Sequence, residues 1–65
     1  MNKTEIGETI RVRRKFLGLT QKDLSGIVGI GLRNLVDIES GKGNPSLSTL
    51  LRILEVLGLS IEIKV

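Results

Sequence analysis

Hydrophobic residues recur at three- and four-residue spacing along most of the chain and switch to strict alternation at its end; glycines and capping residues cut this pattern into segments. The pattern predicts helices followed by one strand. The first helix covers residues 5–17, with Thr4 as N-cap, Glu5 and Glu8 in its electropositive first turn, and Gly18 as its stop. Ile6, Ile10 and Leu17 share one face. Arg13 falls on that stripe and Arg14 at its edge, where burying an unpaired charge is costly, so at least one of them requires a carboxylate. The second helix starts from Thr20, with Asp23 completing a short capping box, turns Leu24, Ile27 and Val28 inward, and ends at Gly29.

Gly29, Ile30 and Gly31 lead directly into a third helix over residues 32–40, closed by Gly41. Two short helices across a glycine turn pack at a steep angle, the geometry of a helix-turn-helix. A loop follows over 42–45, with Pro45 fixing its entry into the next helix. Ser46 then caps a fourth helix, 47–57, whose inner face is Leu47, Leu50, Leu51, Leu54 and Leu57, with Gly58 as the stop. Ile53 and Val56 lie outside that leucine face and are expected to meet a second subunit.

Past Gly58 the period becomes two: Leu59, Ile61, Ile63 and Val65 alternate with Ser60, Glu62 and Lys64. That is a half-buried strand, and a lone strand leaves its backbone groups unpaired. Its simplest partner is the same strand of a second copy, so residues 57–65 are read as a dimerisation segment. The antiparallel register that sets Glu62 against Lys64 of the partner subunit avoids facing two glutamates. The alternative is an unpaired tail that lays its aliphatics on the domain.

Sixty-five residues make one domain, 1–65. With no cysteine and no histidine, disulfides, thiolate metal sites and the commonest general base are excluded. No nucleophile has a base beside it, so the chain is not read as an enzyme, and no cofactor or metal is expected. No apolar run approaches the ~20 residues that span a bilayer, and the start lacks a signal-peptide core; a cytoplasmic, nucleoid-associated protein is expected. The net charge of +3 is unevenly placed: residues 1–20 hold five cations against two acids, while the remainder is balanced. The cluster at Arg11, Arg13, Arg14 and Lys15 suits a polyanion, although cations in a helix's last turn also complement its dipole.

The run Gly18, Leu19, Thr20, Gln21, Leu24, Gly29, Leu35, Ile38, Glu39, Gly41, Lys42, Asn44, Pro45, Ser46, Leu50, Leu51, Leu57 and Gly58 resembles the Cro/C1-type (XRE) helix-turn-helix family over about residues 6–58. The segments VRRKFLGLTQ and LLRILEVLGLSIEI are similar to its HipB-like antitoxin branch. The resemblance implies an all-α, four-helix, lambda-repressor-like domain with a short C-terminal β-strand pairing across a homodimer. It further implies a sequence-specific repressor that binds double-stranded DNA at an inverted-repeat operator, regulates its own toxin–antitoxin operon and binds a HipA-type kinase toxin. Dimer contacts would come from Ile53, Val56, Leu59, Ile61, Glu62, Ile63, Lys64 and Val65.

By the same resemblance Arg14 and Glu39 form a structural ion pair, and Gln21 contacts a DNA phosphate at the start of the second helix. Arg11, Thr20, Lys42 and Asn44 are the further phosphate candidates. The third helix is the recognition helix. With Leu35 and Ile38 inward, its base-reading candidates are Leu32, Arg33, Asn34, Val36 and Asp37. Arg33 suits a guanine edge and Leu32 and Val36 suit thymine methyls; Asp37 either accepts from a cytosine amino group or orients Arg33 one turn away. Arg13 has two candidate roles, a phosphate contact or a pair with Asp37 or Glu55.

The chain departs from the family where Leu32 and Val36 replace polar residues, where Gly31 replaces a Ser/Thr cap, and where Gly26 interrupts the second helix. The outward Leu32/Val36 pair therefore also suits a protein-binding patch. Two alternatives follow: a toxin neutraliser or adaptor with little DNA affinity, and a phage-type general repressor.

Overall fold

The computed structural model describes residues 1–64; Val65, expected in the dimerisation strand, lies outside them. Among the described residues the chain forms α1 (Lys3–Phe16), α2 (Gln21–Val28), α3 (Leu32–Glu39) and α4 (Leu47–Val56). Helix α1 begins two residues earlier than the pattern predicts. Asn2, not Thr4, is its N-cap, because the Asn2 Oδ1 accepts the Glu5 N–H at 2.9 Å. Thr4 instead sits inside the first turn and lies against Gly41, where the chain leaves α3 with φ +81°; a Cβ there would come 2.8 Å from the Thr4 Oγ1.

The predicted Thr20–Asp23 capping box is present in both directions. The Thr20 hydroxyl accepts the Asp23 N–H at 3.0 Å, and the Asp23 carboxylate accepts the Thr20 N–H at 2.9 Å. Gly29 closes α2 in the left-handed conformation, φ 84°, so that its N–H returns to the Ser25 carbonyl. Ser46 caps α4 by accepting the Thr49 N–H.

The core draws Ile10 from α1, Leu24 and Val28 from α2, Leu35 and Ile38 from α3, and Ile53, Leu54 and Leu57 at α4 and its end. Ile6, Leu19, Ile30, Leu50 and Leu59 pack around it. Each fully buried aliphatic contributes about 1.5–3 kcal/mol by leaving water, and a partly buried one less. The α1–α3 crossing is closest at Gly7, which is buried: a Cβ there would collide with the Ile38 carbonyl oxygen and lie 2.6 Å from that of Glu39. Glycine is the residue that lets the two backbones meet.

Several inward assignments are corrected. Ile53, expected at a second subunit, has 0% exposure in the chain's own core, whereas Leu47 and Leu51 of the expected inner face are 66% and 46% exposed. Helix α4 is aliphatic around most of its girth, and the side that faces inward is set by how α2 docks on it. Ile27 on α2 and Leu17 after α1 likewise face out, and Ser25 is buried in Ile27's stead.

Residues 59–64 form no strand. A strand exists by its ladder to a neighbour, and every other element among the described residues is a helix whose backbone bonds are internal. The Leu59 N–H bonds to the Leu54 carbonyl at 2.8 Å and its side chain rests on the core, so the tail is anchored at its base. Ile61 and Ile63 are exposed.

Candidate nucleic-acid interface

Helix α3 turns Leu35, Ile38 and Glu39 inward, and this fixes what it presents outward. Leu32, Arg33 and Asn34 are exposed; Val36 and Asp37 are half-buried along the same outer surface. All five candidate readers thus lie away from the core. Arg33 Nε stands 3.4 Å from Asp37 Oδ1 one turn on, with the arginine side chain 87% exposed. Between the two roles weighed for Asp37, this geometry is that of a carboxylate steering Arg33; the pair itself contributes only about 0.2–0.5 kcal/mol. The N-cap of α3, Gly31, supplies no side-chain hydrogen bond.

Two segments adjoin the last turn of this helix. Gln21, first residue of α2, donates from Nε2 to Glu39 Oε1 at 3.1 Å, which places it beside the last turn of α3. One amide N–H of Gln21 remains for an outside acceptor. At the same end of α3 the Lys42 N–H bonds to the Asp37 carbonyl at 2.8 Å, and Lys42 and Asn44 are exposed in the loop that follows. The Lys3 Nζ reaches the same loop, donating to the Gly43 carbonyl at 2.8 Å.

Glu39 is held from below by Arg14. Arg14 Nε donates to Oε2 at 2.7 Å and Nη2 to Oε1 at 3.0 Å, while Nη1 donates to the Leu19 carbonyl at 2.8 Å. Both side chains are buried, and none of the described buried side-chain polar atoms lacks a partner. The expected pair is therefore present, and it extends into a chain Arg14–Glu39–Gln21 that joins α1, α3 and the start of α2. Such a fork-on-fork pair adds little net stability, yet it fixes how the three helices meet.

Other candidates are engaged within the chain. Arg11 pairs with Glu8 at 3.1 Å, so a phosphate would have to compete with that carboxylate. Thr20 commits its N–H and its hydroxyl oxygen to the capping box. The Thr20 N–H, and after it the Thr20 hydroxyl, hold the Asp23 carboxyl below its ordinary value, leaving a carboxylate at the N-terminus of α2.

Arg13 takes neither expected partner: its Nε donates to the Leu57 carbonyl at 2.9 Å, and its guanidinium lies 5.1 Å from the Phe16 ring centroid. It caps the C-terminal end of α4, where a cation also suits the dipole. Chain separation hides this contact, since only the docking of α1 on α4 creates it. Gly7 was equally missed; its signal is a glycine inside a helical stripe, flanked by Ile6 and Ile10.

Of the expected dimer residues, Val56, Ile61, Glu62, Ile63 and Lys64 are exposed and Leu59 is half-buried. Lys64 Nζ approaches Glu62 Oε2 of the same chain at 3.8 Å. No helix among the described residues is long and apolar enough to cross a membrane.

Comparison with known proteins agrees with this geometry. A helix-turn-helix family matches residues 10–64. The chain is 42% identical over 59 residues to an uncharacterized HTH-type transcriptional regulator of Sinorhizobium fredii, covering 91% of this chain and 78% of that protein. It is 43% identical over 49 residues to one of Methanothermobacter thermautotrophicus, covering 75% and 71%. It is 33% identical over 58 residues to the cryptic phage CTXphi transcriptional repressor RstR of Vibrio cholerae, covering 89% of this chain and 52% of that one.

Proposed function

The chain belongs to the helix-turn-helix family, a family of DNA-binding transcription regulators, and we propose that it represses transcription by reading an inverted-repeat operator as a homodimer. The observation that carries this is the outward face of α3, with Leu32, Arg33, Asn34, Val36 and Asp37, and the attachment of Gln21 and of the loop carrying Lys42 and Asn44 at the last turn of that helix. Base readers beside phosphate-seeking segments are what a recognition helix in a major groove needs. Two such helices about 34 Å apart would meet half-sites one DNA turn apart. Ile61, Ile63 and Val56, exposed on one chain, supply apolar surface for the second copy.

The finer reading is a HipB-like antitoxin that represses its own toxin–antitoxin operon and binds a HipA-type kinase toxin. It rests on the segments 12–21 and 50–63. The likeness to the CTXphi repressor favours a second reading, a phage-type repressor. The neighbouring open reading frame separates them: a kinase-like toxin gene supports the first and a lysogeny cassette the second.

The direct test is a mobility shift with the chain's own upstream region at rising salt, together with sedimentation of the protein with and without that duplex. A shift that weakens steeply with salt and a complex holding two chains are expected. No shift at low salt would favour the adaptor alternative, in which Leu32 and Val36 bind protein.

A further inference from the structure

We propose that Lys3, at the start of α1, is a DNA-phosphate contact that works with Lys42 and Asn44 in the α3–α4 loop. The inference rests on the DNA-binding reading above and adds a residue forty positions away from that loop. Lys3 Nζ donates to the Gly43 carbonyl at 2.8 Å, so its charge is held at the loop rather than spread over solvent. Thr4, against Gly41, seats the same end of α1 on the same turn. Lys3, Lys42 and Asn44 line a small cleft of about 140 Å³ over Ile6 and Ile38.

The charges around this cleft are not neutralised. Among the described residues the ion pairs within 4.0 Å engage Arg11, Arg14, Arg33 and Lys64; neither Lys3 nor Lys42 has a carboxylate partner. Arg11 has its charge offset by Glu8, whereas neither lysine at the loop has a carboxylate within 4.0 Å among the described residues. An ammonium carries three donors, and Gly43 takes one from Lys3. Two remain for an anionic oxygen. The Lys42 backbone is bonded to Asp37 of the recognition helix, so an anion held here lies beside the strand whose bases α3 would read.

The test measures affinity for a mixed-sequence DNA duplex by fluorescence anisotropy across a salt series, for the full chain and for Lys3→Gln, Lys3→Arg, Lys42→Gln and Lys3→Gln/Lys42→Gln. Each phosphate contact contributes about 0.9 to the slope of log affinity against log salt. Lys3→Gln and Lys42→Gln are each expected to lower the slope by about 0.9 per protomer, the double variant by about twice that. Lys3→Arg, which keeps the charge, retains the slope. An unchanged slope for Lys3→Gln beside a reduced one for Lys42→Gln overturns the inference and leaves the DNA-binding reading standing. Weaker binding at every salt with the slope intact also overturns it, because Lys3 would then only brace the loop. A full chain that shows no salt-dependent binding removes the DNA-binding reading itself.

Discussion

Two glycines inside helices, Gly7 in α1 and Gly26 in α2, are expected to respond to alanine with opposite signs. By helix propensity alone both substitutions gain about 1 kcal/mol. At Gly26 nothing lies within 4 Å of the new Cβ, so that gain is kept. At Gly7 the Cβ would overlap the Ile38 carbonyl oxygen and stand 2.6 Å from the Glu39 oxygen and 2.9 Å from the Glu39 carbon. Carbon and carbonyl oxygen ordinarily approach to roughly 3.3–3.6 Å, so clearing the Glu39 oxygen alone parts α1 and α3 by roughly 0.7–1 Å, and clearing the nearer Ile38 oxygen requires more.

The colliding atoms are backbone at the end of a helix and cannot turn aside as a side chain would. Parting the helices also loosens the core that Ile10 and Leu35 share and stretches the Arg14–Glu39 pair. Overpacking of this kind costs about 1–3 kcal/mol; at the upper end, about 3 less about 1 of propensity leaves a loss of about 2 kcal/mol. A domain of this size has only ~3–10 kcal/mol to lose. At equal protein concentration the melting temperature of Gly7→Ala should fall by about 8–16 °C and that of Gly26→Ala rise by about 4–8 °C. If Gly7→Ala melts at or above the parent, the close α1–α3 crossing is wrong.

Three further outcomes are expected. Arg14→Met or Glu39→Gln alone should cost about 3–5 kcal/mol in urea denaturation, whereas Arg14→Met with Glu39→Leu should recover most of it, because no buried charge is then left unpaired. Asp23 has its folded-state value below the ordinary 3.8, so its contribution is present above that pH and is lost as pH falls through the lower folded value. The stability difference between the parent and Asp23→Asn should therefore shrink below pH 3.8, read from thermal melts along a pH series. Arg33→Ala should relax base preference at one operator position by about 1–3 kcal/mol in a binding selection, and Asp37→Asn should relax that same position to a lesser degree; a preference unchanged in Arg33→Ala would remove Arg33 from base reading.

What the sequence determined by itself is what neighbours within about one helical turn decide. The Thr20–Asp23 box, the Ser46 cap, the turn at Gly29 and the inward Leu35 and Ile38 of α3 all rest on such short-range chemistry, and all are found in the structure. The outward placement of Leu32, Arg33, Asn34, Val36 and Asp37 on α3 follows from them. The Arg14–Glu39 pair was legible through family resemblance, and the misfit of a charge on a buried stripe pointed the same way.

Tertiary structure decided everything that depends on which helix lies against which. Helix α4 carries aliphatics on most sides, so no periodicity could choose Ile53 over Leu47 and Leu51; docking did. The Arg13 cap on Leu57 and the Lys3 bond to Gly43 join residues 44 and 40 positions apart, and chain separation alone holds no trace of either. The alternation at the end of the chain predicts a strand, but a ladder needs a neighbouring strand, and residues 59–64 form none within the single chain.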